Sequence, residues 1–297
     1  NAFNTAVGYN AGVSVTTGIK NTIMGSFAGG ALTTGASNVA IGYLALGAED
    51  GHGRNVAIGF DSLKVQNAGA DAYNVAIGYQ SGAAVSTGVQ NIIIGGLAAD
   101  ALTEGSRNIA IGYAALTSED TGGRNIAIGR SALNNLDAGQ DAHNVAIGDE
   151  AGKSVTTGVY NTLMGAFAGD ALTTGANNTA LGSFALSTED AHGKATAVGY
   201  FALKTSNAGA DNYNTAVGYD AGKSVTTGVK NTIVGSIAGD ALTEGGNNII
   251  IGHNAAASAV DVSNEITLGD ANISAFRCAD QSIAALSDAR DKTDIKD

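Results

Sequence analysis

The chain has 297 residues, of which 43 are Gly, none is Pro or Trp, and only 5% are aromatic. So few large side chains would leave a wide globular core under-filled, whereas 44% hydrophobic residues is too many for a disordered chain. The formal net charge of −12 argues against nucleic acid as a partner and against docking on an anionic membrane, because both need clustered Lys and Arg. No apolar run approaches the roughly 18 residues of a membrane-spanning helix, so no membrane insertion is predicted. The single Cys278 excludes an intrachain disulfide scaffold.

One motif recurs along almost the whole chain: Asn, a variable residue, Ala or a larger aliphatic residue, Ile or Val, and Gly. Its first residue, here called the anchor, recurs in steps of 17, 17, 17 and 19, so that four units form a 70-residue super-repeat. Gly always stands four residues after the anchor, where it is predicted to permit a close backbone approach, and Ala or Ser always stands seven after it. Fifteen units in one phase predict a repeat fold with one unit per turn. The anchors are Asn4, Asn21, Asn38, Asn55, Asn74, Asn91, Asn108, Asn125, Asn144, Asn161, Asn178, Ala195, Asn214, Asn231 and Asn248.

Each unit begins with a strand-like segment. Residues 55–59 read Asn-Val-Ala-Ile-Gly, which puts β-branched side chains on one face and Ala on the other, with period two. A helix is disfavoured, because each Gly in it would cost about 0.5–1 kcal/mol relative to Ala. Stacked turns would align identical residues, with aliphatic columns inside and Asn amides bonding to the Asn above and below. Turns ~4.8 Å apart would build a rod on the order of 70 Å long.

The remaining features of the repeat concern its outer surface. The two extra residues of each 19-residue unit, around residues 67–71 in the first super-repeat, are predicted to bulge outward. Small residues on the second strand face predict that another backbone packs there, and three chains around one axis would bury that face. We therefore predict an all-β parallel β-solenoid or β-roll with 17–19-residue turns, assembled as a homotrimeric fibre.

Residues 4–255 resemble the head repeat of trimeric autotransporter adhesins. The unit at 38–45, Asn-Val-Ala-Ile-Gly-Tyr-Leu-Ala, carries the resemblance. It implies a left-handed parallel β-roll in a trimer. The units here have 17 and 19 residues, whereas those heads have shorter ones, and similar repeats also occur in phage fibres.

Residues 287–295, Ser-Asp-Ala-Arg-Asp-Lys-Thr-Asp-Ile, resemble the opening of the intramolecular chaperone domain of phage tail fibres and endosialidase tailspikes. In that family the chaperone assists trimer folding and is then released by cleavage next to the Ser. The resemblance implies that Ser287 is the nucleophile and Lys292 the base, since a Lys of lowered pKa can take a hydroxyl proton. The activity would be one-time self-processing. Most of such a domain is absent from the chain, so Ser287 and Lys292 would here be remnants of a processing site, or its uncleaved edge, and not a working active site. The alternative is a polar, acidic tail with an exposed Lys.

Together the resemblances divide the chain into a shaft at 1–255, a distal trimeric β region at 256–286 and the start of a chaperone segment at 287–297. They imply the structural shaft of a phage tail fibre on the extracellular virion tail, with no enzymatic activity beyond self-cleavage. The implied partners are two further copies of the chain and a glycan or protein receptor on the host surface. One alternative is the head of a bacterial trimeric adhesin. Another is a polysaccharide-degrading tailspike, which would need converging carboxylates that no pair in the sequence indicates.

Two acidic loops are the strongest candidates for a metal site. The segment Glu49-Asp50-Gly51-His52 recurs as Glu189-Asp190-Ala191-His192, but the equivalent segment at 119–122 has no His. Because the pattern fails in one copy, solvated loop charge is favoured over a transition-metal site. No metal and no cofactor is predicted.

Three other residue sets are interpreted as structural. The long loops have too few carboxylates to predict Ca²⁺; their acidic residues are Asp71, Asp141 and Asp211. The Thr pairs skip units, so they are interpreted as turn or ladder Thr in preference to the regular Thr columns of an ice-binding solenoid. The Tyr residues five after an anchor are predicted to be partly exposed packing residues, with stacking on sugars as the alternative.

Overall fold

The computed structural model describes residues 2–275 and residue 277, and every turn of its coil contributes one strand of three residues. The strands are β1 (Thr5–Val7), β2 (Thr22–Met24), β3 (Val39–Ile41), β4 (Val56–Ile58), β5 (Val75–Ile77), β6 (Ile92–Ile94), β7 (Ile109–Ile111), β8 (Ile126–Ile128), β9 (Val145–Ile147), β10 (Thr162–Met164), β11 (Thr179–Leu181), β12 (Thr196–Val198), β13 (Thr215–Val217), β14 (Thr232–Val234), β15 (Ile249–Ile251) and β16 (Ile266–Leu268).

All sixteen strands form one sheet in which each strand pairs in parallel with the next one along the chain. The register matches equivalent positions of successive turns, so that Val39 pairs with Val56 and Ile41 with Ile58. The described residues contain no helix. The prediction of an all-β, parallel β-solenoid with 17- and 19-residue turns is confirmed, whereas the homotrimer stays a prediction.

The coil continues one turn beyond the fifteen anchored units. Glu265 takes the anchor position, and its backbone N–H donates to Oδ1 of Asn248 at 2.9 Å. The following β16 pairs with β15 in the same register as the earlier strands. The repeat therefore extends past residue 255, with a Glu in place of the usual Asn.

The centre residue of each strand points into the coil. In β2 to β15 this residue is buried, as for Ala40 and Ala57, while the first and third residues of every strand are at least partly exposed. The predicted orientation, with aliphatic columns inside and small residues outside, is wrong. The reason is the narrow interior, which also has to hold Leu46 and Leu63 from the segment after each strand.

Side-chain sizes in the core are complementary between turns. The second unit of each super-repeat has a large strand centre, such as Ile23, and a Cβ added at Gly12 or Gly29 would lie within 2.8–3.4 Å of its Cδ1. The third and fourth units have Ala at the strand centre and Leu at the position of Gly29, namely Leu46 and Leu63. A close-packed interior tolerates neither clashes nor voids, so a large strand centre requires Gly after the strand and an Ala centre leaves room for Leu there. This complementarity explains part of the four-unit period.

The Gly four residues after each anchor allows the close approach of successive turns. At Gly59 φ is +139°, and an added Cβ would lie 2.2 Å from the carbonyl oxygen of Gly78 in the next turn. A side chain is excluded there by both the backbone conformation and the contact. The prediction of a close backbone approach at this Gly is confirmed.

The anchor Asn residues join each turn to the next through side chain to backbone hydrogen bonds. Oδ1 of Asn21 accepts the backbone N–H of Asn38 at 2.8 Å, and its Nδ2 donates to the carbonyl oxygen of Gly35 in its own turn at 2.8 Å. The prediction that the Asn side chains bond to one another is therefore wrong, because they bond to backbone groups. The predicted column of stacked Asn residues is present. Since these groups are buried, each bond satisfies a donor that water cannot reach.

The 19-residue units depart from this pattern. Gly69 and Ala70 are exposed, so the extra residues bulge outward as predicted. The bulge removes the carbonyl that would accept Nδ2 of the anchor, and Nδ2 of Asn55 and of Asn125 has no hydrogen-bond partner. Each long unit therefore leaves one buried amide donor unsatisfied when its anchor is Asn.

The third long unit has Ala195 as its anchor and uses a different acceptor. The backbone N–H of Asn214 donates to Oδ1 of Asn212 at 2.8 Å, where the equivalent Asn74 donates to Oδ1 of Asn55 at 3.1 Å. Ala occupies the position of Asn212 in the other two long units, at Ala72 and Ala142. Asn212 thus supplies the acceptor for the N–H of Asn214, and Ala195 has no side-chain amide that could be left unsatisfied.

The replacement Asn212→Ala is expected to destabilise the coil by about 1–3 kcal/mol, because it leaves the buried N–H of Asn214 without an acceptor. Adding Ala195→Asn restores the arrangement of the other long units and should recover most of the loss. Guanidinium unfolding followed by circular dichroism measures both effects, with the exposed Asn207→Ala as control. Equal midpoints for Asn212→Ala and Asn207→Ala would contradict the assignment.

Candidate interaction surface

The outward sheet face consists of the first and third residues of all strands. These positions carry Val, Ile, Leu, Met or Thr in every turn, and many are well exposed: Met24 by 45%, Ile251 by 41% and Leu268 by 48%. Because the strands are stacked in register, the third residues form a continuous apolar row along the coil, whereas the row of first residues is interrupted by Thr in β1, β2 and β10 to β14. Soluble monomers rarely expose a contiguous apolar surface of this kind, so this face is a candidate interaction surface.

Aromatic rings form a second row, five or six residues after the anchors. Within the first run, the Tyr43 and Phe60 rings stack at 5.3 Å and the Phe60 and Tyr79 rings at 5.5 Å. The runs comprise Tyr9, Phe27, Tyr43, Phe60 and Tyr79, and then Phe167, Phe184, Tyr200, Phe201 and Tyr219.

The stacking determines what these rings can bind. Tyr43, Phe60 and Tyr79 are each 43–55% exposed, so the predicted partial exposure is confirmed. Stacked rings cover one another's faces and present mainly their edges outward. A sugar ring stacks on an open aromatic face, so the stacked rings of Tyr43, Phe60 and Tyr79 favour edge contacts with apolar side chains of another protein. Other neighbours in the runs, such as Tyr9 and Phe27, meet edge to face.

The acidic loops differ from the interpretation given to them above. Glu49 and Glu189 are completely buried, whereas Asp50 and Asp190 are exposed. Solvated loop charge therefore describes the Asp residues only, and for the Glu residues it is wrong. Burial raises the pKa of Glu49 above its ordinary value, and the backbone N–H of His52, 3.1 Å from Oε1, opposes part of that rise.

The equivalent Glu119 is also buried, but it is held by backbone donors. Its Oε1 accepts the N–H of Gly122 at 2.7 Å and its Oε2 accepts that of Ala138 at 3.4 Å. Burial still raises the pKa of Glu119, because the carboxylate is removed from water and the carboxylates of Asp137 and Asp120 are near. Sequence reasoning gave no signal for three buried Glu residues, since their neighbours in the sequence are polar.

In the long loops, each Asp considered above for Ca²⁺ pairs with a basic side chain of the preceding turn. Asp141 Oδ2 lies 3.1 Å from Arg124 Nε, and Asp71 and Asp211 pair in the same way with Arg54 and Lys194. These pairs are exposed, so solvent screens the attraction and each contributes little to the stability of the coil. The basic partners agree with the structural interpretation of these residues.

The Thr pairs join successive turns. Thr16 Oγ1 donates to the carbonyl oxygen of Thr33 at 3.1 Å, and Thr33 Oγ1 donates to that of Asp50 at 3.0 Å. Thr156 and Thr173 repeat the contact at 3.2 Å. Their interpretation as ladder residues is confirmed.

The predicted self-processing residues Ser287 and Lys292 lie outside the described residues, as does Cys278. Among the residues that the structure describes, no helix is long and apolar enough to span a membrane. No protein-family model, curated protein or solved structure matches the chain. The two resemblances found in the sequence therefore stay predictions.

Stability is expected to fall as the pH rises above the ordinary pKa of Glu. The folded state raises the pKa of Glu49 and Glu119, so between the ordinary and the raised values it binds more protons than the unfolded state. The stabilisation by protonation is complete below the ordinary Glu pKa and is lost as the pH rises through the raised one. Urea unfolding at fixed ionic strength measures the slope.

The variant Glu119→Gln should flatten this pH dependence, because it removes one of the buried ionisable groups. The exposed Glu104→Gln removes the same formal charge and is the control. The explanation would be wrong if both variants kept the pH profile of the unaltered chain.

Proposed function

We propose that the chain is the stiff structural shaft of a trimeric phage tail fibre, located on the extracellular virion tail and contributing to host attachment. The single observation that carries the proposal is the uninterrupted sheet of sixteen strands, in which every turn is hydrogen-bonded to the next. Such a coil has the nearest-neighbour contacts of a solenoid and no flexible connection between β1 and β16. This architecture suits a spacer that has to hold a distal contact surface away from its base.

The outward sheet face supports the homotrimer. The aliphatic row of third strand residues runs along the whole coil, is at least partly exposed, and would be covered by the equivalent row of other copies. A closed ring leaves no interface open, and three copies around an axis parallel to the coil satisfy this condition. The surface proposed for assembly is thus the β-branched face, and not the small-residue face that the sequence indicated.

The string at 287–295 favours a phage fibre, because it resembles the junction at which tail-fibre chaperones are released. The unit at 38–45 favours a second candidate, the head of a bacterial trimeric adhesin, through its resemblance to those repeats. Both candidates share the trimeric coil. They differ in the kind of domain that comes after the coil and in whether the chain is cleaved beside Ser287. A polysaccharide-degrading tailspike is the third candidate and would release oligosaccharide from a capsule.

Paired substitutions on the outward sheet face test the trimer. Ile111→Lys with Ile128→Lys should lower the native mass from three times the 29.3 kDa chain mass to that of one chain. The physical reason is that unpaired ammonium groups would be buried in the interface, at a cost of several kcal/mol. Light scattering after size exclusion measures the mass.

The control is Ala70→Lys with Gln140→Lys, which adds the same charge in exposed loops and should leave the trimer intact. A monomeric unaltered chain, or a trimer that survives both Ile substitutions, would refute the proposed interface.

Self-processing is tested on a longer polypeptide that continues beyond residue 297 into the chaperone domain. The unaltered chain should be cut beside Ser287, whereas Ser287→Ala should remain whole and Lys292→Ala should be cut far more slowly. Intact mass after denaturation measures the product, and Ser282→Ala is the matched control. Cleavage that persists in Ser287→Ala would remove the support for the phage assignment and leave the adhesin head.

A further inference from the structure

We propose that the loops at 49–52 and 189–192 each bind one divalent transition-metal ion, such as Zn²⁺, through their Glu, Asp and His side chains. This inference is independent of the fibre proposal. In the first loop, one ligand atom each from Glu49, Asp50 and His52 lies within 4.8 Å of the other two. The second loop repeats this arrangement with Glu189, Asp190 and His192.

The spacing suits a shared ion after small side-chain rotations. Ligand atoms that each lie about 2.0–2.2 Å from one ion are themselves at most about 4.4 Å apart. Asp50 is exposed and the His52 side chain is 32% exposed, so both can rotate without disturbing the core. An ion can reach the site from solvent for the same reason.

Unpartnered buried atoms point to a ligand at both loops. Glu49 has no exposed surface, its Oε2 has no hydrogen-bond partner, and neither has Nδ1 of His52. In the second loop the unpartnered atoms are Oε1 of Glu189 and Nδ1 of His192, while Oε2 of Glu189 accepts from Ser206 Oγ at 3.4 Å and Asn212 Nδ2 at 3.3 Å. In each loop Nδ1 lies 3.5 Å from Oε1, too far for a good hydrogen bond. A buried carboxylate in this condition is unfavourable, and a bound cation relieves it.

The third copy of the loop also brings carboxylates together, Glu119 with Asp120 and Asp137, but it has no His and serves as an internal comparison. Where His is replaced by Gly122, both carboxylate oxygens of Glu119 accept backbone N–H groups and neither is left unpartnered. A side chain at Gly122 is excluded, because an added Cβ would lie 2.6 Å from the carbonyl oxygen of Gln140. Glu119 is therefore satisfied by the protein alone, and the unpartnered oxygen occurs in the two copies that contain His.

The donor set determines the class of ion. One imidazole nitrogen and two carboxylate oxygens, completed by water, are typical ligands of Zn²⁺, Ni²⁺ or Co²⁺. Ca²⁺ prefers six to eight oxygen ligands, and these loops offer fewer. A metal-bound imidazole is neutral, so protons compete with the ion, and binding is tested at pH 7.5.

Calorimetric titration with ZnCl₂ at pH 7.5, after removal of metals by a chelator, tests the proposal. The unaltered chain should bind two ions, His52→Ala one, and the double variant His52→Ala/His192→Ala none. His143→Ala is the control and should still bind two, because His143 lies outside both loops, against the ring of Tyr160. Zn²⁺ should also raise the thermal unfolding midpoint of the unaltered chain and not that of the double variant.

Each alternative outcome overturns the proposal. If the unaltered chain takes up no Zn²⁺, the Glu and His side chains form only an ion pair. If the double variant still binds two ions, the sites lie elsewhere. Circular dichroism confirms that the variants are folded, which is expected because the replaced imidazoles are about one-third exposed.

Discussion

The bond from each anchor carboxamide to the backbone N–H of the next anchor is the contact on which the rest of the coil depends. It fixes which residue of one turn faces which residue of the next, at a buried point where a missing acceptor would cost about 1–3 kcal/mol. Ala195 shows that the requirement is for an acceptor and not for Asn as such, since Asn212 supplies the oxygen from another position. Once this register is set, the strands, the Gly contacts and the outer rows are all repeated in phase.

Registered stacking then restricts what the interior can hold. Successive turns approach so closely at Gly59 and Gly78 that no side chain fits between them. The remaining core is narrow, and its volume is shared between the strand centre and the segment after the strand. Ile23 extends over Gly12 and Gly29, whereas turns with Ala at the strand centre place Leu in that space. The 70-residue super-repeat therefore reflects the spacing of the long loops and also the packing of the core, in which large and small side chains of successive turns complement one another.

The sequence was sufficient for the turn length, the parallel stacking, the close approach at Gly59 and the outward bulge near Gly69, because each follows from spacing. The sequence was not sufficient to predict which face of each strand points into the coil. An alternating Val-Ala-Ile segment is compatible with either face pointing inward. Which face is buried depends on the space inside the coil, and Leu46 and Leu63, which follow the strands, take up much of that space. The turn at Glu265 was missed because its anchor is not Asn, although Gly269 stands four residues after it. The burial of Glu49 has no sequence signal, since a charged loop usually lies in water.

The inverted faces change the reason why such a coil would associate. A three-residue strand buries only its centre, so every added turn leaves two more partly exposed side chains on the same side. The apolar area that a partner could cover grows with the number of turns, while the entropy cost of bringing the chains together is met once. A long coil therefore gains more from lateral association than a short one. The stiffness of the coil and its tendency to assemble would then both come from the sixteen stacked strands. Exposed carboxylates such as that of Asp120 would keep the remaining sides apart in solution.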